Sequence, residues 1–290
     1  MNGPSAMGQT ITAELRRWLR EQIDAGVDHA TLLDALVQAG WALDLAERAI
    51  RGARHEHGAR VIVVPQAPAE RRVAVPAIQV GPSSREVLVG GRAVRVVASL
   101  NLPRVVVLAG LLSDGECDAL IDAARPRLAR SLTVQTRTGG EELNPDRTSD
   151  GMFFNRGETE LVRRIEARIA ALVNWPVENG EGMQVLHYRA GAEYKPHYDY
   201  FDPAEPGTPT ILRRGGQRVG TLVMYLNHPV RGGGTVFPDA GFEVMPQRGH
   251  AVFFSYDQPS PATRTLHGGA PVIEGEKWIA TKWLSQREFT

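Results

Sequence analysis

The chain has 290 residues, with 33 Lys and Arg against 33 Asp and Glu. It carries no formal charge, so a partner captured by net charge, either nucleic acid or an anionic membrane surface, is not expected. Hydrophobic residues at 42% and charged residues at 23% exclude wholesale disorder and allow one large core, with or without a small module beside it. A single cysteine, Cys117, excludes internal disulfides and a thiolate zinc knuckle, and no run reaches the roughly 18 apolar residues of a membrane-spanning helix. The opening Met-Asn-Gly-Pro-Ser-Ala-Met-Gly lacks the continuous apolar stretch of a signal peptide, so the expected compartment is the cytoplasm.

Helices are predicted first. Ile11, Leu15, Trp18, Leu19 and Ile23 recur at helical spacing up to Ala25-Gly26. A second helix starts near Thr31, capped by Asp28, and runs through Leu32, Leu33, Leu36 and Val37 to Gly40, after which Leu45, Ala46, Ala49 and Ile50 outline a third. Residues 1–57 therefore read as a small all-α module, a candidate for homodimerisation or target docking. Pro65, Pro68, Pro76 and Pro82 punctuate residues 58–84, the pattern of an extended linker.

The second domain, residues 85–290, is expected to open with a hairpin, because Val87-Leu88-Val89 and Val94-Arg95-Val96 flank Gly90-Gly91. Ser113 and Glu116 have capping-box spacing before a helix, and Leu161, Val162, Ile165, Ile169 and Leu172 mark another. Both helices should back a sheet. From residue 183 short apolar runs (219–226, 234–237, 251–255, 278–284) alternate with Gly, Pro and Asn, the spacing of a β-sandwich or jelly roll.

In Tyr194-Lys195-Pro196-His197-Tyr198-Asp199, an extended backbone puts His197 and Asp199 on one face. His267, 68 positions beyond Asp199, can complete two imidazoles and a carboxylate, a set that occupies one face of an octahedron and leaves three positions open for non-haem Fe(II) chemistry. Lys277 begins the run Lys277-Trp278-Ile279-Ala280-Thr281-Lys282-Trp283-Leu284, in which Lys277 and Trp283 share a face. Pointed inward it needs an anion, and a dicarboxylate would serve; on an edge strand it would simply meet solvent.

These residues resemble the 2-oxoglutarate- and Fe(II)-dependent prolyl 4-hydroxylases, in their compact single-chain forms and in the catalytic domain of the collagen enzyme. The resemblance spans roughly residues 102–287. It runs through Asn101-Leu102-Pro103-Arg104-Val105, the Ser113 helix, Arg147-Thr148-Ser149-Asp150-Gly151, Gln184-Val185-Leu186-His187-Tyr188 and the His197 block. It continues through Gly215-Gly216-Gln217-Arg218, Gly232-Gly233-Gly234-Thr235-Val236-Phe237-Pro238 and residues 267–284.

The resemblance implies an α+β, mainly β fold: a double-stranded β-helix (jelly-roll) core backed by helices. It implies that His197, Asp199 and His267 bind Fe(II), that Lys277 holds the distal carboxylate of 2-oxoglutarate, that Tyr188 reaches the same carboxylate and that Thr235 lines the pocket. O2 is then the second cosubstrate, and L-ascorbate is a further candidate cofactor. Arg147, Tyr194, Arg218 and Trp283 fall near the groove of a proline-containing peptide or protein, with residues 136–142 as a flap and 202–220 as a second loop. The implied reaction couples oxidative decarboxylation of 2-oxoglutarate to hydroxylation of a prolyl residue. Another residue or a free amino acid as target, a noncatalytic binding module and a zinc hydrolase are the alternatives. The missing disulfide cysteines set the chain apart from animal collagen enzymes. His187 is expected to be structural, and Cys117 a buried thiol.

Overall fold

Why a strand near the end of this chain can carry two lysines follows from how its sheet is covered, and that is the main lesson of the architecture. The computed structural model describes residues 11–58, 72–79, 85–134, 138, 140–143 and 146–290. The chain divides into two units, Met1–Glu70 and Arg71–Thr290.

The first unit holds three helices, Ala13–Asp24, His29–Gln38 and Leu43–Gly58. Thr12 accepts a hydrogen bond from the Leu15 N–H, and Asp28 accepts from the Ala30 and Thr31 N–H groups, so both caps satisfy amides that the first turn leaves unpaired. Leu19, Ile23, Leu32, Leu36, Ala46, Ala49, Ile50 and Ala53 form its core.

In the second unit nine strands form one sheet whose neighbours pair antiparallel. Their spatial order is Glu86–Val89, Arg92–Leu100, Arg104–Ala109, Ala251–Ser255, Arg218–Tyr225, Lys277–Ser285, Met183–Tyr188, Asp150–Phe154 and Ala129–Arg130. Gly90 and Gly91, at φ +54° and +72°, make the predicted hairpin turn, where a side chain would be strained. Strand alternation divides the large sheet into two faces. Leu222, Met224, Trp278, Ala280 and Leu284 point to the helices Asp114–Ala124 and Glu160–Val173 and pack with Leu120, Ile165 and Ile169. Val223, Tyr225, Leu186, Tyr188 and Ile279 point the other way, toward a small sheet ordered Phe242–Val244, Thr235–Phe237, His267–Gly269 and Tyr194–His197. Two facing sheets with helices behind the larger one make the double-stranded β-helix.

Glu116 serves twice. It completes the capping box with Ser113, and it accepts hydrogen bonds of 2.9 and 2.8 Å from Arg168 of the second helix. Burial alone would raise its carboxyl; Arg168 and the Ser113 N–H hold it down at about 2. Cys117 is buried, and burial pushes its thiol up to about 11, so it packs as a small apolar group.

Residues 72–79 lie along the second unit. The Val73 N–H donates to Asp257 O and the Ala77 N–H to Val173 O, while Pro76 packs where a Cβ on Gly220 would meet its Cγ at 2.7 Å. The segment 202–220 contains a short helix, Thr208–Ile211, before its strand begins at Arg218. Of the expected flap, residues 136, 137 and 139 lie outside the described residues. Among those described, no helix is long and apolar enough to cross a membrane.

Candidate active site

The small sheet brings the candidate metal ligands together. His267 pairs directly with His197 across antiparallel neighbours, which brings the two imidazoles to 4.5 Å between centroids. Asp199 lies just past the end of its strand, in a bend, and not within the extended run that the sequence suggested. It still turns to the same side: its Oδ1 is 3.6 Å from His197 Nε2 and its Oδ2 is 3.5 Å from His267 Nε2. All three ligand atoms lie within 4.8 Å of one another, and no other such group occurs among the described residues.

Both imidazoles are fixed by the same device. His197 Nδ1 donates to the Lys195 carbonyl at 2.9 Å, and His267 Nδ1 donates to the Thr265 carbonyl at 3.0 Å, because a carbonyl can only accept. The Nε2 lone pairs are therefore left facing the carboxylate, as metal ligation requires. Burial pushes the His267 imidazole down to about 4, while Asp199, buried yet facing His267, His197 and Arg218, stays well below the usual carboxylate range. A carboxylate beside a neutral imidazole is the form that binds a divalent cation, so this donor set fits iron.

Across the cleft, on the large sheet, Lys277 pairs with Tyr188 and is 2% exposed. Its ammonium lies 5.3 Å from the Tyr188 ring centroid, and among the described residues it makes no salt bridge; Glu243 acts on it at longer range. Burial pushes it down to about 8. Glycines make its room, since a Cβ on Gly233 would lie 3.2 Å from its Cδ and one on Gly269 3.6 Å from its Nζ. Thr235 accepts a 2.8 Å hydrogen bond from the Tyr225 hydroxyl, which leaves the Thr235 proton free to be donated. Tyr188 is buried, which pushes its phenol up against the opposing influence of Arg147 and Ser149. A buried ammonium aimed into a cleft beside a donating hydroxyl fits the distal carboxylate of 2-oxoglutarate.

The residues expected near a peptide groove divide into two sets. Arg147, Tyr194 and Trp283 line the same cleft as the triad, Lys277, Tyr188 and Thr235. Arg147 donates to Gln184 Oε1 at 2.7 Å and stands 5.0 Å over the Tyr194 ring, which in turn stacks on His197 at 3.7 Å. Burial pushes the Tyr194 phenol up to about 12. Arg218 stands behind them, with Nε and Nη2 committed to Glu181 at 2.6 and 2.8 Å and its guanidinium between Phe201 and Trp283. The indole N–H of Trp283 is buried with no hydrogen-bond partner among the described residues.

Sequence reasoning missed Thr221, which donates to Asp199 Oδ2 at 2.6 Å, and it missed Glu181, Gln184 and Tyr256. Thr221 did carry a signal, as the polar outlier in the apolar run 219–226. His187, read as structural, hydrogen-bonds Glu276 at 2.7 Å and stacks on Trp278, outside the cleft.

Known proteins share these features. Residues 183–285 match the 2OG-Fe(II) oxygenase superfamily. Prolyl 4-hydroxylase 5 of Arabidopsis thaliana is 41% identical over 208 residues, 64% of this chain and 70% of the relative. Prolyl 4-hydroxylase 2 of the same plant is 39% identical over 210 residues, 64% of this chain and 69% of the relative. Among solved structures, the viral collagen prolyl hydroxylase of Paramecium Bursaria Chlorella virus-1, in complex with 2OG, is 32% identical, with a TM-score of 0.47 over 62% of this chain and 94% of that one. Identity of this extent across most of a named relative decides the matter: the chain belongs to the prolyl 4-hydroxylase family of 2-oxoglutarate- and Fe(II)-dependent dioxygenases.

Proposed function

We propose that the protein hydroxylates a prolyl residue within an extended peptide or protein segment. His197, Asp199 and His267 hold Fe(II), and Lys277, Tyr188 and Thr235 hold the distal carboxylate of 2-oxoglutarate. The observation that carries this assignment is the buried Lys277 ammonium, which faces the triad's cleft with no carboxylate bonded to it among the described residues. A buried cation is costly without a partner, and a dicarboxylate cosubstrate supplies one.

When bound, iron with 2-oxoglutarate and O2 supplies the oxidation, releasing succinate and CO2 and placing a hydroxyl on the target carbon. The chain's own residues do the rest. The two Nδ1 hydrogen bonds keep the imidazole lone pairs on the metal side. Lys277 gives its charge to the carboxylate and Thr235 its spare proton, which orients the cosubstrate. Tyr194, stacked on His197, and Trp283 form part of the cleft wall that the target would meet. The Arg218–Glu181 pair keeps the Trp283 ring in place from behind. No general base is required of the protein.

L-ascorbate acts as the reductant, which rests on family membership. The cytoplasm is the compartment, supported by a single, buried, unpaired cysteine. The N-terminal helices bind the target or a second copy, supported by the exposure of Trp18, Val37 and Leu43.

The test is anaerobic titration of Fe(II)-loaded protein with 2-oxoglutarate, followed by its visible charge-transfer band, with N-oxalylglycine as competitor. It is paired with mass spectrometry of proline-containing peptides. The band should appear and be reversed by the competitor, and hydroxyproline should form with stoichiometric succinate. His197→Ala should abolish both while keeping the wild-type circular dichroism. No band in folded, iron-loaded protein removes the assignment.

A further inference from the structure

The metal-binding carboxylate is tied to the large sheet by two hydroxyls. Thr221 is fully buried on the strand Arg218–Tyr225, and its Oγ1 lies 2.6 Å from Asp199 Oδ2. An ionised carboxylate only accepts, so the threonine donates there. A threonine has one hydroxyl proton, and its second contact, 3.0 Å to the Tyr256 hydroxyl, must therefore be made with the tyrosine's proton. The direction is fixed: Tyr256 donates to Thr221, and Thr221 donates to Asp199. Tyr256 is itself buried and rests against Tyr200 and Phe254, so this chain of hydroxyls is anchored in packed aromatic rings. Asp199 lies beyond the end of its strand, and the hydrogen bond from Thr221 holds its carboxylate from the opposite sheet.

We propose that Thr221, supported by Tyr256, is the positioning residue that restricts Asp199 to one-oxygen ligation of iron. With Oδ2 engaged by a short charge-assisted bond, the carboxylate is kept from chelating through both oxygens, and the position that a second oxygen would take stays open for the cosubstrate. This inference rests on the iron assignment made above.

The experiment titrates the metal-free full chain anaerobically with Fe(II), and separately with Co(II) for its visible spectrum, without cosubstrate, in wild type, Thr221→Val, Thr221→Ser and Tyr256→Phe. Loss of an outer hydrogen bond to a metal ligand typically weakens affinity by about 10- to 100-fold, and Thr221→Val should fall in that range with a Co(II) spectrum shifted toward higher coordination number. Thr221→Ser keeps the hydroxyl and should restore both, while Tyr256→Phe should weaken binding by less than Thr221→Val.

Wild-type affinity and spectrum in Thr221→Val overturn the inference. So does a serine variant as weak as valine, which would point to packing of the methyl group. If Thr221→Val does not fold, Tyr256→Phe decides, and an unchanged affinity and spectrum there overturn the relay. A wild-type protein that binds metal no better than His197→Ala overturns the iron assignment itself, and that result is distinguishable because it needs no Thr221 variant.

Discussion

Two lysines on one strand, five residues apart, show how differently the two faces of the large sheet are used. Lys282 points to the helices and meets Glu166 at 2.5 Å, and it also donates to the Glu181 carbonyl. Lys277 points to the cleft and has no such partner among the described residues. Both side chains are 2% exposed. On the helix side the protein supplies the counter-ion, so the charge belongs to the scaffold. On the cleft side the described residues supply none, and under the proposed assignment the cosubstrate carboxylate takes that position.

The largest expected effect comes from breaking the scaffold pair. Glu166→Ala strands the Lys282 ammonium, and removing one partner of a buried pair typically costs about 3–5 kcal/mol, which denaturant titration would read as a lowered midpoint. Replacing both partners with apolar residues, Glu166→Leu with Lys282→Met, should recover most of that loss; a double variant as unstable as the single one would show that the pair does more than satisfy its own charges.

On the cleft side Lys277→Ala should leave stability unchanged or improved, because it removes a desolvated charge. The 2-oxoglutarate requirement should instead rise by at least about 2 kcal/mol, roughly thirtyfold. An unchanged requirement removes Lys277 from the carboxylate site.

The smallest effect is a pH signature. Burial pushes Lys277 down to about 8 from 10.5, so between these values the unfolded chain binds more protons than the folded one, and the stability due to this residue rises with pH across that window. Wild type should gain on Lys277→Met over the same range, measured as the difference in unfolding free energy, while 2-oxoglutarate affinity falls as the ammonium loses its proton. A pH-independent difference would mean that the ammonium is not desolvated.

The sequence revealed elements more readily than partners. The capping box at Ser113 and the Gly90-Gly91 hairpin were legible because each is a local pattern whose chemistry closes within a few residues. The shared face of Lys277 and Trp283 followed from strand alternation, and both line the cleft. Partnerships between segments distant in the chain were not legible. The facing of His267 and His197 depends on a register between strands 70 positions apart, which family resemblance suggested and spacing could not. Asp199 reached the triad from a bend outside the strand, so the period-two argument named the right residue for an incomplete reason. Arg218 was expected near the peptide groove, yet its fork grips Glu181, an acidic residue whose role appears only once Arg218–Tyr225 lies beside Lys277–Ser285.

The glycine at 269 has one more consequence. The Lys277 ammonium reaches across the cleft to within 3.6 Å of where a Cβ on that residue would stand, and His267 is two residues earlier on the same strand. Two strand residues span about 6.6 Å. Under the proposed assignment, the small sheet's backbone then acts as a ruler: one end of the cosubstrate is fixed at a graduation marked by His267 and the other at one marked by Gly269. The length of dicarboxylate accepted then depends on Gly269 as well as on Lys277, because a Cβ at 269 would crowd the ammonium from the opposite sheet.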